Sequence, residues 1–167
     1  VTDGTDAGTQ LVKDIESGSG SSSPSDIVVL NNKLYFFAST STSGNEMWVS
    51  DGTNGGTALL KDINPGAAGS YNASEVFLNG STLFFTANDG THGTELWKTD
   101  GTEAGTVLVK DINSGSASSN TGNISALNGV IYFSADDGAT GDELWKSDGS
   151  SAGTVQVKDI VSGKKGS

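Results

Sequence analysis

Glu-Leu-Trp-Lys-Thr-Asp-Gly-Thr-Glu-Ala-Gly-Thr-Val-Leu-Val-Lys-Asp-Ile, residues 95–112, is the stretch that decides the fold. It recurs at 46–63 and at 143–160, and most of a fourth copy fills residues 2–15, starting just after the Trp position. The Asp of the Asp-Gly turn falls at 3, 51, 100 and 148, in steps of 48, 49 and 48. Self-similarity at such a period indicates a repeat architecture.

The kept residues have physical roles. Asp-Gly followed by Thr or Ser is turn chemistry, because Gly supplies the positive φ of a tight turn. The flanks, Glu-Leu-Trp-Lys-Thr and Thr-Val-Leu-Val-Lys-Asp-Ile, are rich in β-branched and aromatic residues and read as strands. A second Gly (Gly8, Gly56, Gly105, Gly153) lies inside the connection, so the loop is longer than two residues.

Working outward, the partial copy 1–15 supplies a turn and a strand at 9–15. The first full unit, 16–63, opens with a Gly/Ser loop and predicts strands at 27–30, 33–38, around Met47-Trp48, and 57–63. The second unit, 64–112, predicts strands at 75–78, 82–87, 95–99 and 106–112. The third, 113–160, predicts 123–127, 130–135, 143–147 and 154–160, with 161–167 as a tail. The hairpin at 79–82 reads as one residue longer than that at 31–33, which would account for the step of 49. No stretch has helical period.

Each unit is therefore four short antiparallel strands. A lone sheet with two apolar faces is unstable in water, and radial stacking buries both, so the expected fold is all-β and β-propeller-like. Stacking in an open array or fibre is the alternative. Propellers have about 4–8 blades, whereas this chain predicts three plus an extra N-terminal strand pair. The expectation is a part of a longer chain, or copies joined in a ring or filament. The spare N-terminal segment would add to a sheet begun elsewhere.

Composition narrows the function classes. The chain has 167 residues, 24 Gly, 2 Pro, no Cys, 34% hydrophobic residues and a formal charge of −11. Low apolar content suits units that bury a thin seam against neighbours. Without Cys there is no disulfide framework and no Cys-ligated metal. The acidic balance argues against a nucleic-acid partner. No apolar run approaches the roughly 20 residues of a membrane span. No signal peptide is visible, and a start partway through a repeat leaves targeting signals to be expected upstream.

The octapeptide Glu-Leu-Trp-Lys-Thr-Asp-Gly-Thr at 95–102 resembles the signature of the bacterial ELWxxDGT repeat family. The resemblance covers nearly the whole chain, with Met47 for Leu in the first unit and Ser150 for the final Thr in the third. It implies propeller-like domains in large secreted or surface proteins. The sialidase Asp-box places its Trp after the acidic turn, the reverse of the order here, so a sialidase reading is not supported.

Trp48, Trp97 and Trp145 occupy one position per unit. One reading is a sugar-stacking platform for glycans; the other is packing between sheets. The loops before the Glu-Leu-Trp segments offer Asp89, Glu95, Asp136, Asp137 and Asp142 as oxygen ligands for calcium, although the spacing is not that of an EF-hand. The bland reading is turn-forming Asp-Gly with solvated carboxylates. The first unit has no carboxylate in that loop before Glu46 and should bind calcium worst.

The repeated Lys-Asp pairs (Lys13-Asp14, Lys61-Asp62, Lys110-Asp111, Lys158-Asp159) suggest that each Lys meets the Glu of a Glu-Leu-Trp segment across strands. His92, the only His, assembles no Ser/His/Asp set, and no acidic pair stands out for glycoside hydrolysis. Asn72, Asn79 and Asn123 begin sequon patterns. Gln156, where the other copies have Leu, suggests a less buried edge, and Lys164-Lys165 a solvated tail.

These observations give a first expectation of a non-enzymatic extracellular or cell-surface bacterial module for adhesion or structural assembly. Its partners would be further repeats of the same chain or other copies of itself. The alternatives are a carbohydrate-binding propeller and a fragment of a propeller enzyme completed by further blades.

Overall fold

A computed structural model describes residues 1–70, 75–160 and 162–163. The chain forms three four-stranded antiparallel sheets, each a simple meander. The first comprises β1 (Ser25–Leu30), β2 (Lys33–Thr40), β3 (Gly44–Ser50) and β4 (Ala58–Lys61). The second comprises β5 (Val76–Asn79), β6 (Thr82–Asn88), β7 (Thr94–Thr99) and β8 (Val107–Lys110). The third comprises β9 (Gly122–Leu127), β10 (Val130–Asp136), β11 (Asp142–Ser147) and β12 (Val155–Lys158). No helix occurs among the described residues, so none is long and apolar enough to cross a membrane.

The first hairpin of each unit shows why the register repeats. Leu30 pairs with Lys33, Asn79 with Thr82, and Leu127 with Val130, so every turn has two residues. Asn31-Asn32 and Asn128-Gly129 have both central φ positive, the type I′ pattern that matches strand twist. Gly80 alone is positive in its turn, the type II′ pattern. The hairpin at 79–82 is thus no longer than its counterparts, which corrects the expectation. The extra residue lies earlier. Ser22, Ser70 and Ser119 make equivalent backbone bonds to Ser39, Asn88 and Asp136. Strand β1 or β9 ends eight residues after its serine, at Leu30 or Leu127, whereas β5 ends nine after Ser70. The insertion therefore falls within 71–78.

The third and fourth strands of every sheet carry the same irregularity. Trp48 pairs with Leu59 while Met47 pairs with Lys61, leaving Leu60 as a bulge residue. The second and third sheets repeat it at Leu96/Trp97 and Leu144/Trp145. The bulge sends Leu59 to one face, beside Trp48, and Leu60 to the other.

The cores lie between sheets. Between the first and second, Tyr35, Phe37, Met47, Leu60 and Ile63 meet Leu83, Phe85, Ala87 and Trp97. Phe37 and Phe85 make a T-shaped pair, centroids 5.9 Å apart. Between the second and third, Phe84, Leu96, Val109 and Ile112 meet Ile131, Phe133, Ala135 and Trp145. The Trp of each unit faces the preceding unit in both. The first strands of successive sheets also lie side by side, and the Glu75 carboxylate accepts the Asn123 and Ile124 amides at 3.0 and 2.6 Å.

Residues 1–15 depart from the expected strand pair. They form a turn closed by reciprocal bonds between Val1 and Gln10, with no strand. The physical reason is the lack of a neighbour: a strand exists only against a pairing partner, and beyond Gln10 no described strand lies beside 11–15 to pair with it. The segment still packs, because Ile15 sits against Phe36, Ala38 and Trp48 on the first sheet.

Candidate functional site

Each Asp-Gly-Thr turn is a small hydrogen-bonded cage. Asp100 Oδ1 accepts the Thr102 amide at 2.9 Å and its hydroxyl at 2.7 Å. Thr102 Oγ1 then accepts the Gly105 amide at 2.9 Å, and the Thr102 carbonyl accepts the Thr106 hydroxyl at 2.7 Å. Asp3, Asp51 and Asp148 repeat the pattern. A Cβ on Gly8, Gly56, Gly105 or Gly153 would overlap that carboxylate, which explains the second Gly. The hydroxyl bond from Thr5, Thr53, Thr102 or Ser150, followed by the amide bond, holds these four carboxyls below their ordinary range.

The cage aims carbonyls at the preceding unit, and a lysine meets them there. Lys61 Nζ donates to Thr106 O at 2.7 Å and Lys110 Nζ to Thr154 O at 2.8 Å. Lys13 Nζ donates to Thr57 O at 2.7 Å in the same way. Lys110 also lies over the Trp145 ring, 5.8 Å from its centroid. A second donor reaches the first Gly of the turn: Tyr35 OH to Gly101 O at 3.3 Å, and Lys98 Nζ to Gly149 O at 2.7 Å. The expected Lys–Glu pairing is therefore corrected for Lys13, Lys61 and Lys110, which donate to carbonyls of the next unit.

The Glu of each Glu-Leu-Trp segment has a different task. Glu46 accepts the Ile63 amide at 3.2 Å, the Asn64 amide at 3.0 Å and the Ser70 hydroxyl. Glu95 accepts the amides of Ile112, Asn113 and Ser119 at 3.1, 3.3 and 3.0 Å. Glu143 accepts the Ile160 amide at 3.4 Å. The carboxylate thus clamps the chain where it leaves one sheet for the next. Glu46 and Glu95 are fully buried, and desolvation pushes both carboxyls upward against the pull of those bonds.

The remaining sequence candidates fall as follows. Trp48, Trp97 and Trp145 are only 8, 7 and 6% exposed, each enclosed between its sheet and the preceding segment. Asp89 caps its loop by accepting the Thr91 and His92 amides, and its Oδ2 lies 2.7 Å from His92 Nδ1, the one ion pair among the described residues. That bond raises the His92 pKa. Asp137 accepts the Ala139 and Thr140 amides, and Asp136 the Gly138 amide. Asp142, exposed at the start of β11, pairs in register with Asp136. Among the described residues no three His or acidic side chains come together as a metal-holding group.

Asn79 Nδ2 donates to Gly129 O of the next unit, and Asn123 Nδ2 to Ser134 Oγ. Asn72 and Lys164-Lys165 lie outside the described residues. Gln156 is as half-buried as Leu59 and Leu108, and its amide donates to Thr140 Oγ1 at 3.1 Å, so it marks no open edge.

The open edge is on the opposite face of the third sheet. Leu144 is 43% exposed, whereas Met47 and Leu96 at the same position are at 1 and 0%. Val157 and Ile160 are exposed at 45 and 62%, against 8% or less for Leu60, Val109, Ile63 and Ile112. Strand β11 consequently alternates exposed and buried, where β3 and β7 have buried residues on both faces. No sequence periodicity flagged this face, because its residues match their buried counterparts; only position in the stack distinguishes them. Comparison with protein-family models, with curated proteins and with solved structures finds no match to this chain.

Proposed function

We propose that this chain is a non-enzymatic assembly module of the ELWxxDGT type, a propeller-like stack that joins further units of its own kind. The observation that carries the reading is the outer face of the third sheet. It exposes Leu144, Val157 and Ile160, which in the first two sheets are the contact to a following unit. Lys146 and Lys158 stand where Lys98, Lys61 and Lys110 bridge to the next turn. A surface built to the pattern of an internal interface suits a protein whose task is stacking. Display outside a bacterial cell, for adhesion or a structural layer, follows from the resemblance of the repeat.

The three tryptophans enter this reading as packing residues, because their 6–8% exposure leaves little ring face for a sugar to stack on. Native mass measured from micromolar to submillimolar concentration tests the proposal. Mass that grows with concentration supports it, and a monomer throughout, also when residues 1–15 are loosened from the first sheet, refutes it.

A further inference from the structure

We infer that the outer face of the third sheet receives a second copy of this chain, seated through that copy's first sheet after its residues 1–15 have been displaced. The inference rests on the assembly reading above and specifies its mode and its control.

Residues 10–15 imitate the fourth strand of a preceding unit. Val12-Lys13-Asp14-Ile15 repeats Val157-Lys158-Asp159-Ile160 residue for residue. Lys13 bonds Thr57 O as Lys61 bonds Thr106 O and Lys110 bonds Thr154 O. Ile15 packs on Trp48 as part of the same seam that Ile63 and Ile112 build deeper in the stack. Yet the imitation is shallow. Val1 and Leu11 remain exposed, and the segment forms no strand. Inward of it lies a groove of about 450 Å³ lined by Leu11, Ile15, Ile27, Leu34 and Phe36. Their counterparts Leu83 and Phe85 are fully covered by the preceding sheet.

What would fill that groove is displayed at the other end of the molecule. Tyr132 and Leu144 occupy the positions from which Tyr35 and Met47 cover Leu83 and Phe85. Lys146 holds the position of Lys98, whose ammonium reaches the first Gly carbonyl of the next turn. On a second copy that carbonyl is Gly52 O, which no described residue of its own chain bonds. The single obstacle is β12, which would take the space of residues 10–15. Exchange there replaces like with like, Lys158 for Lys13 and Ile160 for Ile15. The added gain comes from burying the groove and engaging Lys146, so release of residues 1–15 governs association.

The test uses the chain of residues 1–167 and two variants of it, K13A/I15N to loosen the segment and L144D to block the outer face, read by sedimentation velocity. Circular dichroism of each verifies the sheets. The association midpoint of K13A/I15N is expected at a concentration lower than that of the native chain by about tenfold or more. Adding L144D, or K146A/K158A where L144D disturbs the sheet, returns it to monomer. Association that ignores both sets of changes overturns the displacement mode while leaving the assembly reading intact. Monomer at every concentration, with residues 1–15 loosened or not, overturns both.

Discussion

Replacing Glu95 tests whether the buried carboxylate is the clamp between successive sheets. Its Oε1 accepts the Asn113 and Ser119 amides and its Oε2 the Ile112 amide, all from a fully buried position. Glu95→Ala orphans three donors, two of them in buried bonds, at about 1–3 kcal/mol for each buried group left unsatisfied and less than the sum where water enters. A loss of about 3–5 kcal/mol is expected, a large part of the stability of a chain this size. Glu95→Gln keeps an oxygen for two donors and turns an NH2 toward the third, so the loss is about 1–2 kcal/mol.

The pH dependence separates the two effects. Burial raises the Glu46 and Glu95 pKa, so the folded state holds protons more tightly than the unfolded one. That contribution is full below the unfolded value near 4.5 and is lost as pH rises through the higher folded value. From this source, stability rises as pH falls from neutral toward mildly acid. Urea unfolding followed by tryptophan emission should show that slope in the native chain and a flatter one in E46Q/E95Q. An E95A variant as stable as the native chain, or an unchanged slope in E46Q/E95Q, would refute the clamp.

Four further outcomes follow from the same geometry. Gly105→Ala opens the Asp100 cage and should cost about 2 kcal/mol, whereas Gly55→Ala, with open space at its Cβ and no positive φ, stays within about 0.5 kcal/mol; thermal denaturation compares them. Phe85→Ala empties the centre of the first interface and should cost about 3–5 kcal/mol by urea titration. Lys61→Met removes a half-buried bond to Thr106 O, and a loss of about 1 kcal/mol at high salt as well as low would mark it as a hydrogen bond rather than a screened ion pair. Asp51, Asp100 and Asp148 have lowered pKa values, so their contribution is present above the unfolded value of 3.8 and lost as pH falls; acid unfolding monitored by circular dichroism should begin below that point and arrive earlier in D100N.

Much of this arrangement was readable from residue order. The repeat period located eleven of the twelve strands within about two residues and the middle of β3, since alternating apolar positions and Asn/Gly turns mark them locally. What escaped was whatever depended on a neighbour. Residues 9–15 have a strand's composition but pair only at Gln10, with Val1, because pairing belongs to the partner as much as to the sequence. The lysines invited a carboxylate, since charge is visible in a sequence and a backbone carbonyl is not. Gly105 looked like a turn residue, though its φ is ordinary and its purpose is to leave room for Asp100. Gln156 drew attention by being polar, while the exposed face belonged to Val157, which looks like every other core valine.

The lysine bonds between units have a wider consequence. Their acceptors are main-chain oxygens, which every amino acid carries, and the three receiving loops already differ in composition: Thr53-Asn54-Gly55, Thr102-Glu103-Ala104 and Ser150-Ser151-Ala152. At these lysine bonds no side chain on the receiving unit has to change in step when a unit is copied or swapped. A gene coding for such a joint can lengthen or shuffle its array by duplication, and the lysine bonds of each new junction arrive already matched.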